Sequence, residues 1–222
     1  MSLGETPYLE AWDLQRRTAA GVTDGSRPDT ILLLEHPNVV TLGRRTEEAS
    51  ELHIPHGADV EIVETDRGGK STFHGPGQLV CYPIFDLARH GQDVKRFVRD
   101  LEEALIATLG AVGVRGERID GLTGVWLTRP PRKIASIGIH VSRWVTTHGY
   151  ALNVDLDPAP FTEWITACGL EDAAFTTIAR ELGRPVTVDE VRAPALEALA
   201  EIFGLELEEL PAAAAQRELA VR

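Results

Sequence analysis

Several short runs of the chain are rich in apolar residues and are bounded by polar or turn residues, which is the pattern of β-strands. The runs are TILLLEH, VVTLGR, VEIVETDR, QLVCYPIF, LTGVWL, KIASIGIHVS and THGYALNVD. A turn at His36-Pro37-Asn38 joins the first two runs. In KIASIGIHVS one face of the strand holds Ala135, Ile137, Ile139 and Val141, and the other holds Ser136, Gly138 and His140.

A helical period appears in four places. Thr6-Pro7 predicts a helix that Thr6 caps, with proline at its first position, running toward Ala20. Asp93 predicts the cap of an amphipathic helix that ends near Gly110 and Gly113. Its apolar face holds Val94, Phe97, Val98, Leu101, Leu105 and Leu109.

Two shorter helical signals follow the last strand run. Asp157-Pro158 predicts a short helix through Ile165, and a capping box of Thr187 and Glu190 predicts a last helix through Phe203. Strands come in runs and do not alternate strictly with helices. We therefore expect an α/β (α+β) fold with a mixed or antiparallel sheet flanked by helices.

Composition predicts one globular domain over residues 1–222, with a tail at 211–222 that forms a frayed helix. Hydrophobic residues make up 43% and charged residues 25% of the chain. No apolar run approaches the roughly 18 residues of a membrane span, and the first residues lack the pattern of a secretory signal. Two cysteines do not suggest a disulfide framework, so a cytoplasmic protein is expected.

The distribution of charge along the chain indicates which classes of binding partner are expected. A net charge of −12 argues against nucleic-acid and membrane partners. Residues 115–143 nevertheless hold six basic and two acidic residues. This segment is either a solvated face or a docking patch for an acidic partner; the basic residues are Arg115, Arg118, Arg129, Arg132, Lys133 and Arg143.

The stretch GGKST, residues 68–72, resembles the end of a phosphate-binding loop, but two observations exclude that interpretation. The position that requires glycine is Glu64, inside a strand run. The following Gly75-Pro76-Gly77 would break the helix that such a loop needs. A long turn remains, in which glycine allows close backbone approach and five polar side chains cluster: Arg67, Lys70, Ser71, Thr72 and His74.

Lysine and cysteine usage points to candidate catalytic residues. Of the 22 basic residues only Lys70, Lys95 and Lys133 are lysines, so lysine is expected where a compact amine, or one that can lose its proton, is useful. Cys168 lies at a turn, whereas Cys81 lies in a strand run and is expected to be a small buried core residue. A nucleophilic Cys168 would need a neighbouring cation or imidazole; the candidates are Lys133, His74, His140 and His148.

The segments RGGKSTFHGPGQLVCYP, KIASIGIHVSRWVTTHGYALNVD and ACGL together resemble the signature of the bacterial octanoyltransferases, the lipoyl(octanoyl) transferases. The resemblance spans residues 31–177. It implies a fold related to the biotin and lipoate protein ligases. It also implies transfer of an octanoyl or lipoyl group from acyl carrier protein to a lysine of a lipoyl domain. The acceptors would be the E2 subunits of 2-oxoacid dehydrogenases and the H protein of glycine cleavage.

The resemblance also implies roles for individual residues. Cys168 would carry the acyl group as a thioester, and Lys133 would lower the thiol pKa and act as acid and base. The acyl transfer would need no ATP, no other cofactor and no metal. Ala167 stands where proline is common in the family. The substrate-binding residues would be Arg67, Gly68, Gly69, Lys70, Ser71, Thr72, Phe73, His74, Ser136, Ile137, Gly138, Gly149, Tyr150 and Ala151.

Two other functions stay open from the sequence. One is an ATP-dependent lipoate or biotin protein ligase on the same fold, which would not need Cys168. The other is a non-catalytic module that binds acyl groups or lipoyl domains, and it would be equally indifferent to Cys168. ATP dependence separates the first from an acyltransferase, and formation of an acyl-enzyme separates the second.

Overall fold

The computed structural model describes residues 1–46, 52–165 and 174–220. Within these ranges the chain forms one eight-stranded sheet and one three-stranded sheet. The strands are β1 (Ser2–Glu5), β2 (Thr30–Glu35), β3 (Val39–Leu42), β4 (Glu61–Glu64), β5 (Thr72–His74), β6 (Gln78–Ile84), β7 (Glu117–Ile119), β8 (Leu122–Thr128), β9 (Pro131–Ser142), β10 (Val145–Asn153) and β11 (Ala174–Phe175). The helices are α1 (Tyr8–Asp24), α2 (Val94–Ala111), α3 (Pro160–Glu163), α4 (Ile178–Leu182), α5 (Val188–Phe203) and α6 (Ala212–Ala220).

The large sheet is mixed, which confirms the expected fold class. Its strand order is β1-β2-β6-β10-β9-β8-β7, with β11 added beside β9. The central pairs β2–β6, β6–β10, β10–β9 and β9–β8 are antiparallel, whereas β1–β2 and β11–β9 are parallel. The small sheet has the order β4-β3-β5.

Helices cover both faces of the large sheet because alternate strand residues are apolar on each side. Leu101 of α2 and Leu199 of α5 belong to a core cluster with Leu79 and Leu152 of the sheet. On the opposite face, Leu14 of α1 belongs to a second cluster that includes Val80 and Ala151. Consecutive residues of β6 and β10 therefore face different cores.

The predicted helices are present with some changes in their ends. Asp93 caps α2 by accepting hydrogen bonds from the amides of Lys95 and Arg96, and the capping box of α5 is confirmed. The N-cap position of α1 is Pro7 and not Thr6, and the helix runs on to Asp24. The predicted helix through Ile165 is a single turn, α3, and α4 was not predicted. None of the described helices is long and apolar enough to cross a bilayer.

One prediction about the turns is confirmed and another is wrong in detail. Residues 36–38 join β2 to β3 as predicted, although the two strands belong to different sheets. The long turn expected at 67–77 contains strand β5, which pairs with β3. Phe73 of β5 consequently points into an aromatic cluster with Phe161 and Trp164.

The six basic residues of segment 115–143 do not form one continuous surface. Arg118 pairs with Glu102 and Glu103, and Arg132 forms two hydrogen bonds to the carboxylate of Glu181. Lys133 is buried. Arg143 directly follows the 12-residue strand β9, at the opposite end of the strand from Arg132.

Candidate active site

A cavity of about 330 Å³ lies on the α1 side of the large sheet. Its floor consists of the central strands β6, β10 and β9. Ala151 pairs with Val80 on one side and Ser136 on the other, and Gly149 pairs with Gly138. Directly opposed residues of antiparallel strands point to the same face. The cavity exists because the side chains that these strands present on this face are mostly small.

A register shift places Lys133 in the same cavity. Val125 pairs with Ala135 and Trp126 pairs with Lys133, so one extra residue of β9 lies between the two pairs. Val125 and Trp126 are consecutive and face opposite sides; hence Lys133 and Ala135 also face opposite sides. Strict alternation would have placed Lys133 in the core with Ala135. Instead its ammonium lies 5.1 Å from the ring centre of Trp126, and both residues line the cavity.

The loop at 67–71 forms one wall of the cavity and is organised by Arg67. The guanidinium donates to the Thr41 hydroxyl (2.9 Å) and to the Thr41 carbonyl oxygen (2.5 Å). It also donates to the Lys70 carbonyl oxygen at 2.7 Å. Arg67 is 6% exposed. Its hydrogen bonds fold the loop around the guanidinium, which explains why a charged residue is buried here.

The glycines of the site allow backbone segments to pack against one another. The Gly68 amide donates to the Ile139 carbonyl oxygen at 2.9 Å. A Cβ on Gly138 would lie 2.7 Å from the Gly68 carbonyl oxygen, and a Cβ on Gly149 would overlap with Cys81 of the neighbouring strand. These glycines line the cavity, but close packing against backbone, of the loop for Gly138 and of β6 for Gly149, is sufficient to require them.

Histidines and tyrosines build the end of the cavity near α1. Nδ1 of His36 donates to the Thr6 carbonyl oxygen at 2.6 Å, and Nε2 accepts from the Tyr82 hydroxyl at 2.7 Å. Burial lowers the pKa of His36 to about 4. His36 is therefore neutral at physiological pH, and the Thr6 carbonyl, which can only accept, fixes the proton on Nδ1.

His74 is held by a chain of side-chain amides. Its Nδ1 donates to Gln78 Oε1 at 2.7 Å, Gln78 donates to Asn153 Oδ1 at 2.9 Å, and Asn153 donates to the Thr176 carbonyl oxygen at 3.1 Å. The Thr176 amide in turn donates to the Lys133 carbonyl oxygen at 3.0 Å. Burial lowers the pKa of His74, so its outer nitrogen Nε2 is an acceptor.

His148 connects the cavity to a carboxylate. Its Nε2 donates to Asp66 Oδ1 at 2.7 Å, and its Nδ1 accepts from the Tyr8 hydroxyl at 3.4 Å. Burial lowers the pKa of His148, and the hydrogen bond from His148 lowers the pKa of Asp66. His140 lies 3.7 Å from the other oxygen of Asp66. His74 and His148 line the cavity, whereas His140 does not.

The structure gathers most residues of the predicted site around this cavity. The residues that line it are Lys133, Arg67, Gly68, Gly69, Lys70, Ser71, Thr72, His74, Ser136, Ile137, Gly138, Gly149, Tyr150 and Ala151. Phe73 does not line it, because Phe73 alternates with Thr72 and His74 along β5 and faces the aromatic cluster.

The structure describes only one of the two cysteines, Cys81. Cys168 and Ala167 lie outside the described residues, so the role predicted for Cys168 stays a prediction. Cys81 is fully buried in the core of β6, on the sheet face opposite the cavity floor. Burial raises the pKa of the Cys81 thiol to about 12, which makes it a poor nucleophile at neutral pH. The packing role expected for Cys81 is confirmed.

Several residues of the cavity were not found from the sequence. Tyr8, Arg45, Val80, Tyr82 and Trp126 all line it. Tyr8 begins a helix, and Val80 and Tyr82 belong to a continuous apolar strand, so each has an ordinary packing pattern. The register shift in β9, which turns Trp126 and Lys133 toward the same cavity, leaves no signal in the hydrophobic period.

Comparison with known proteins decides the family. The sequence model of the lipoyl protein ligase A/B catalytic domain matches residues 7–200. The chain belongs to this family. Among curated family members, an octanoyltransferase of Mycobacterium tuberculosis is 54% identical over 193 residues, covering 86% of this chain and 80% of that protein. An octanoyltransferase of Chloroflexus aurantiacus is 46% identical over 208 residues, covering 92% and 93%. The resemblance found in the sequence is confirmed.

Solved structures of lipoate and biotin protein ligases show the same fold at low identity. Lipoate-protein ligase A bound with ATP superposes with a TM-score of 0.74 at 15% identity, covering 99% of this chain and 91% of that one. A bipartite lipoate protein ligase from Thermoplasma acidophilum gives 0.72 at 18% identity, covering 99% and 89%. A biotin protein ligase from Aquifex aeolicus in complex with biotin and ATP gives 0.56 at 14% identity, covering 92% and 69%.

Proposed function

We propose that this protein transfers an octanoyl group from acyl carrier protein to a lysine of lipoyl domains, through a thioester on Cys168. The observation that carries the proposal is the burial of Lys133 in the lining of a cavity whose floor is built mostly from glycine, alanine, serine and valine. The names of relatives that are 46–54% identical support the acyl group. The cavity of about 330 Å³ falls within the range of small-molecule sites.

The cavity suits an acyl chain followed by a reactive carbonyl. Val80 and Ala151 on the floor offer apolar surface, and burying methylenes contributes about 0.8 kcal/mol each. The polar groups lie at the edges of this floor, on the 67–71 loop and on Lys133. An acyl chain on the floor would thus present its carbonyl to the polar edge.

Lys133 can balance the protons of both half-reactions. In the first, the Cys168 thiolate attacks the donor thioester, the donor C–S bond breaks, and the Lys133 ammonium gives its proton to the leaving thiolate. In the second, the acceptor amine attacks the acyl-enzyme, the bond to Cys168 breaks, and neutral Lys133 takes the proton of the amine. An amide and the starting charge state result.

Connections in the fold support the pairing of Cys168 with Lys133. Phe175, seven residues after Cys168, pairs with Lys133 in the sheet. Ile165, three residues before Cys168, belongs with Phe175 to the aromatic cluster around Phe161. The described residues on both sides of Cys168 are thus tied to the strand that carries Lys133. The acceptors proposed are the lipoyl domains of 2-oxoacid dehydrogenases and the H protein, and the proposed location is the cytoplasm.

The proposal is tested by mass measurement on the intact protein. We expect incubation with octanoyl-acyl carrier protein, without ATP, to add the mass of one octanoyl group, and peptide mapping to place it on Cys168. Cys168→Ser should lose the adduct and transfer to a lipoyl domain. The matched control is Cys81→Ala, which should keep both. An adduct on Cys81, a requirement for ATP, or full transfer by Cys168→Ser would contradict the proposal.

A further inference from the structure

Two consecutive exposed arginines stand at the mouth of the cavity. Arg45 lines the cavity, and both Arg44 and Arg45 are exposed. Gly121 and Thr123, which are also exposed, line the cavity as well. These exposed residues mark where the cavity opens to solvent, so a ligand that enters it passes Arg45.

The arginines are held in place by the loop that forms the cavity wall. The Arg44 amide donates to the Arg67 carbonyl oxygen and the Arg45 amide to the Gly69 carbonyl oxygen, each at 3.0 Å. The Thr46 amide closes a turn by donating to the Gly43 carbonyl oxygen at 2.9 Å. The backbone under Arg45 is therefore fixed relative to the cavity, although its side chain reaches solvent.

The charge environment of these arginines differs from that of Arg118 and Arg132, which have carboxylate partners, as described above. In the part of the chain that the structure describes, neither Arg44 nor Arg45 has a carboxylate within ion-pairing distance of its guanidinium. In a chain with a net charge of −12, two neighbouring exposed guanidinium groups at the mouth of the cavity favour binding of an anionic ligand.

We infer that Arg45, with Arg44 beside it, binds the phosphodiester of the prosthetic arm that carries the acyl group on the donor. The inference rests on the proposed function. When the acyl chain lies on the cavity floor, the arm extends outward through the mouth, and its single phosphate is the anionic group of the arm. A guanidinium matches phosphate geometry with two parallel donors.

The test uses two small donors that differ only in the phosphate: octanoyl-phosphopantetheine and octanoyl-pantetheine, with an apo lipoyl domain as acceptor. Arg45→Ala should raise KM for the phosphorylated donor about tenfold, the loss of one charge-assisted hydrogen bond. KM for octanoyl-pantetheine should rise much less, so the ratio of the two KM values reports the contact with the phosphate. The matched control is Arg115→Ala, which removes an exposed arginine away from the cavity lining and should behave like the parent protein.

A second readout does not depend on turnover. Phosphopantetheine without an acyl group should bind the parent protein more tightly than Arg45→Ala in calorimetry, and high salt should reduce the difference. An equal rise in KM for both donors, or no rise, would overturn the inference. A rise seen only with the intact carrier protein would also overturn it, in favour of contact with the carrier's acidic surface. If the parent protein transfers the octanoyl group neither from the two small donors nor from octanoyl-acyl carrier protein, the proposed function itself fails.

Discussion

Lys133 is the residue on which the proposed chemistry depends most. It is 5% exposed, its ammonium lies over the Trp126 ring, and Gly124 leaves space for its side chain, because a Cβ there would lie 2.9 Å from Lys133 Cε. The chain uses arginine for nineteen of its 22 basic positions. This preference for arginine is the reason to expect that Lys133 acts in the proposed mechanism as an amine that loses its proton.

Replacing Lys133 with arginine separates charge from proton transfer. Arginine keeps the positive charge but cannot release a proton at accessible pH. We expect Lys133→Arg to lower kcat/KM by about 10²–10⁴-fold, the usual contribution of general acid–base catalysis. Alkylation of Cys168 by iodoacetamide should stay fast at neutral pH, because a cation still stabilises the thiolate.

The control for this variant is Lys95→Arg, which changes an exposed lysine of α2 and should leave both activity and alkylation unchanged. A melting temperature close to that of the parent protein would show that Lys133→Arg still folds. If Lys133→Arg turned over like the parent protein, lysine would act only through its charge. His74 and His148, which line the cavity, would then become the candidates for the proton carrier.

At the scale of elements, contact between the 67–71 loop and β9 sets the shape of the cavity. Gly138→Ala would place a methyl group 2.7 Å from the Gly68 carbonyl oxygen, and that oxygen belongs to the backbone, so the loop must move. We expect kcat/KM to fall at least about tenfold and the free energy of unfolding to fall by about 1–3 kcal/mol, the usual cost of overpacking. Steady-state kinetics and urea unfolding measure the two effects.

Gly110→Ala provides the comparison, because a Cβ at Gly110 meets no atom within 4 Å and lies in the last turn of α2. Alanine there should increase stability by a few tenths to about 1 kcal/mol without changing activity. Parent-like activity of Gly138→Ala would mean that the loop position does not control the site.

The elements that could be predicted from the sequence are those with a regular hydrophobic period or a long strand run. Helix α2 and strand β9 have such a period, and β6 and β10 are strands of seven and nine residues. Strands β1, β5, β7 and β11 have two to four residues each and are set by pairing with distant segments, which no local pattern records. The same limit applies to the candidate site, because local residue patterns record some of its parts and not others. The 67–71 loop was found from its residue types, whereas the position of Lys133 depends on a register shift opposite Trp126.

At the scale of the whole molecule, the fold encloses uncharged histidines in an acidic protein. His36, His74 and His148 lie around Tyr8, with the rings of His36 and Tyr8 5.0 Å apart. Burial lowers the pKa of all three histidines. Because α1, the small sheet and β10 all meet at this cluster, a charge placed within it would weaken contacts between these layers.

The cluster predicts that stability falls in mild acid. The pKa of His36 is about 4 in the folded protein and 6.5 when unperturbed, so the unfolded state binds the proton first. The contribution of neutral His36 is complete above pH 6.5 and is lost as the pH falls toward 4. The difference between the two pKa values corresponds to about 3 kcal/mol, and His74 and His148 act in the same direction. Urea unfolding between pH 7.5 and 4.5 measures this loss.

His36→Gln keeps a donor and an acceptor but does not titrate, so it should be less stable at pH 7.5 and lose less stability on acidification. His56→Gln, at an exposed position, should follow the parent protein. If His36→Gln and the parent protein lost stability in parallel, acid sensitivity would have to come from the carboxylates, of which Asp66 and Glu181 also have lowered pKa values.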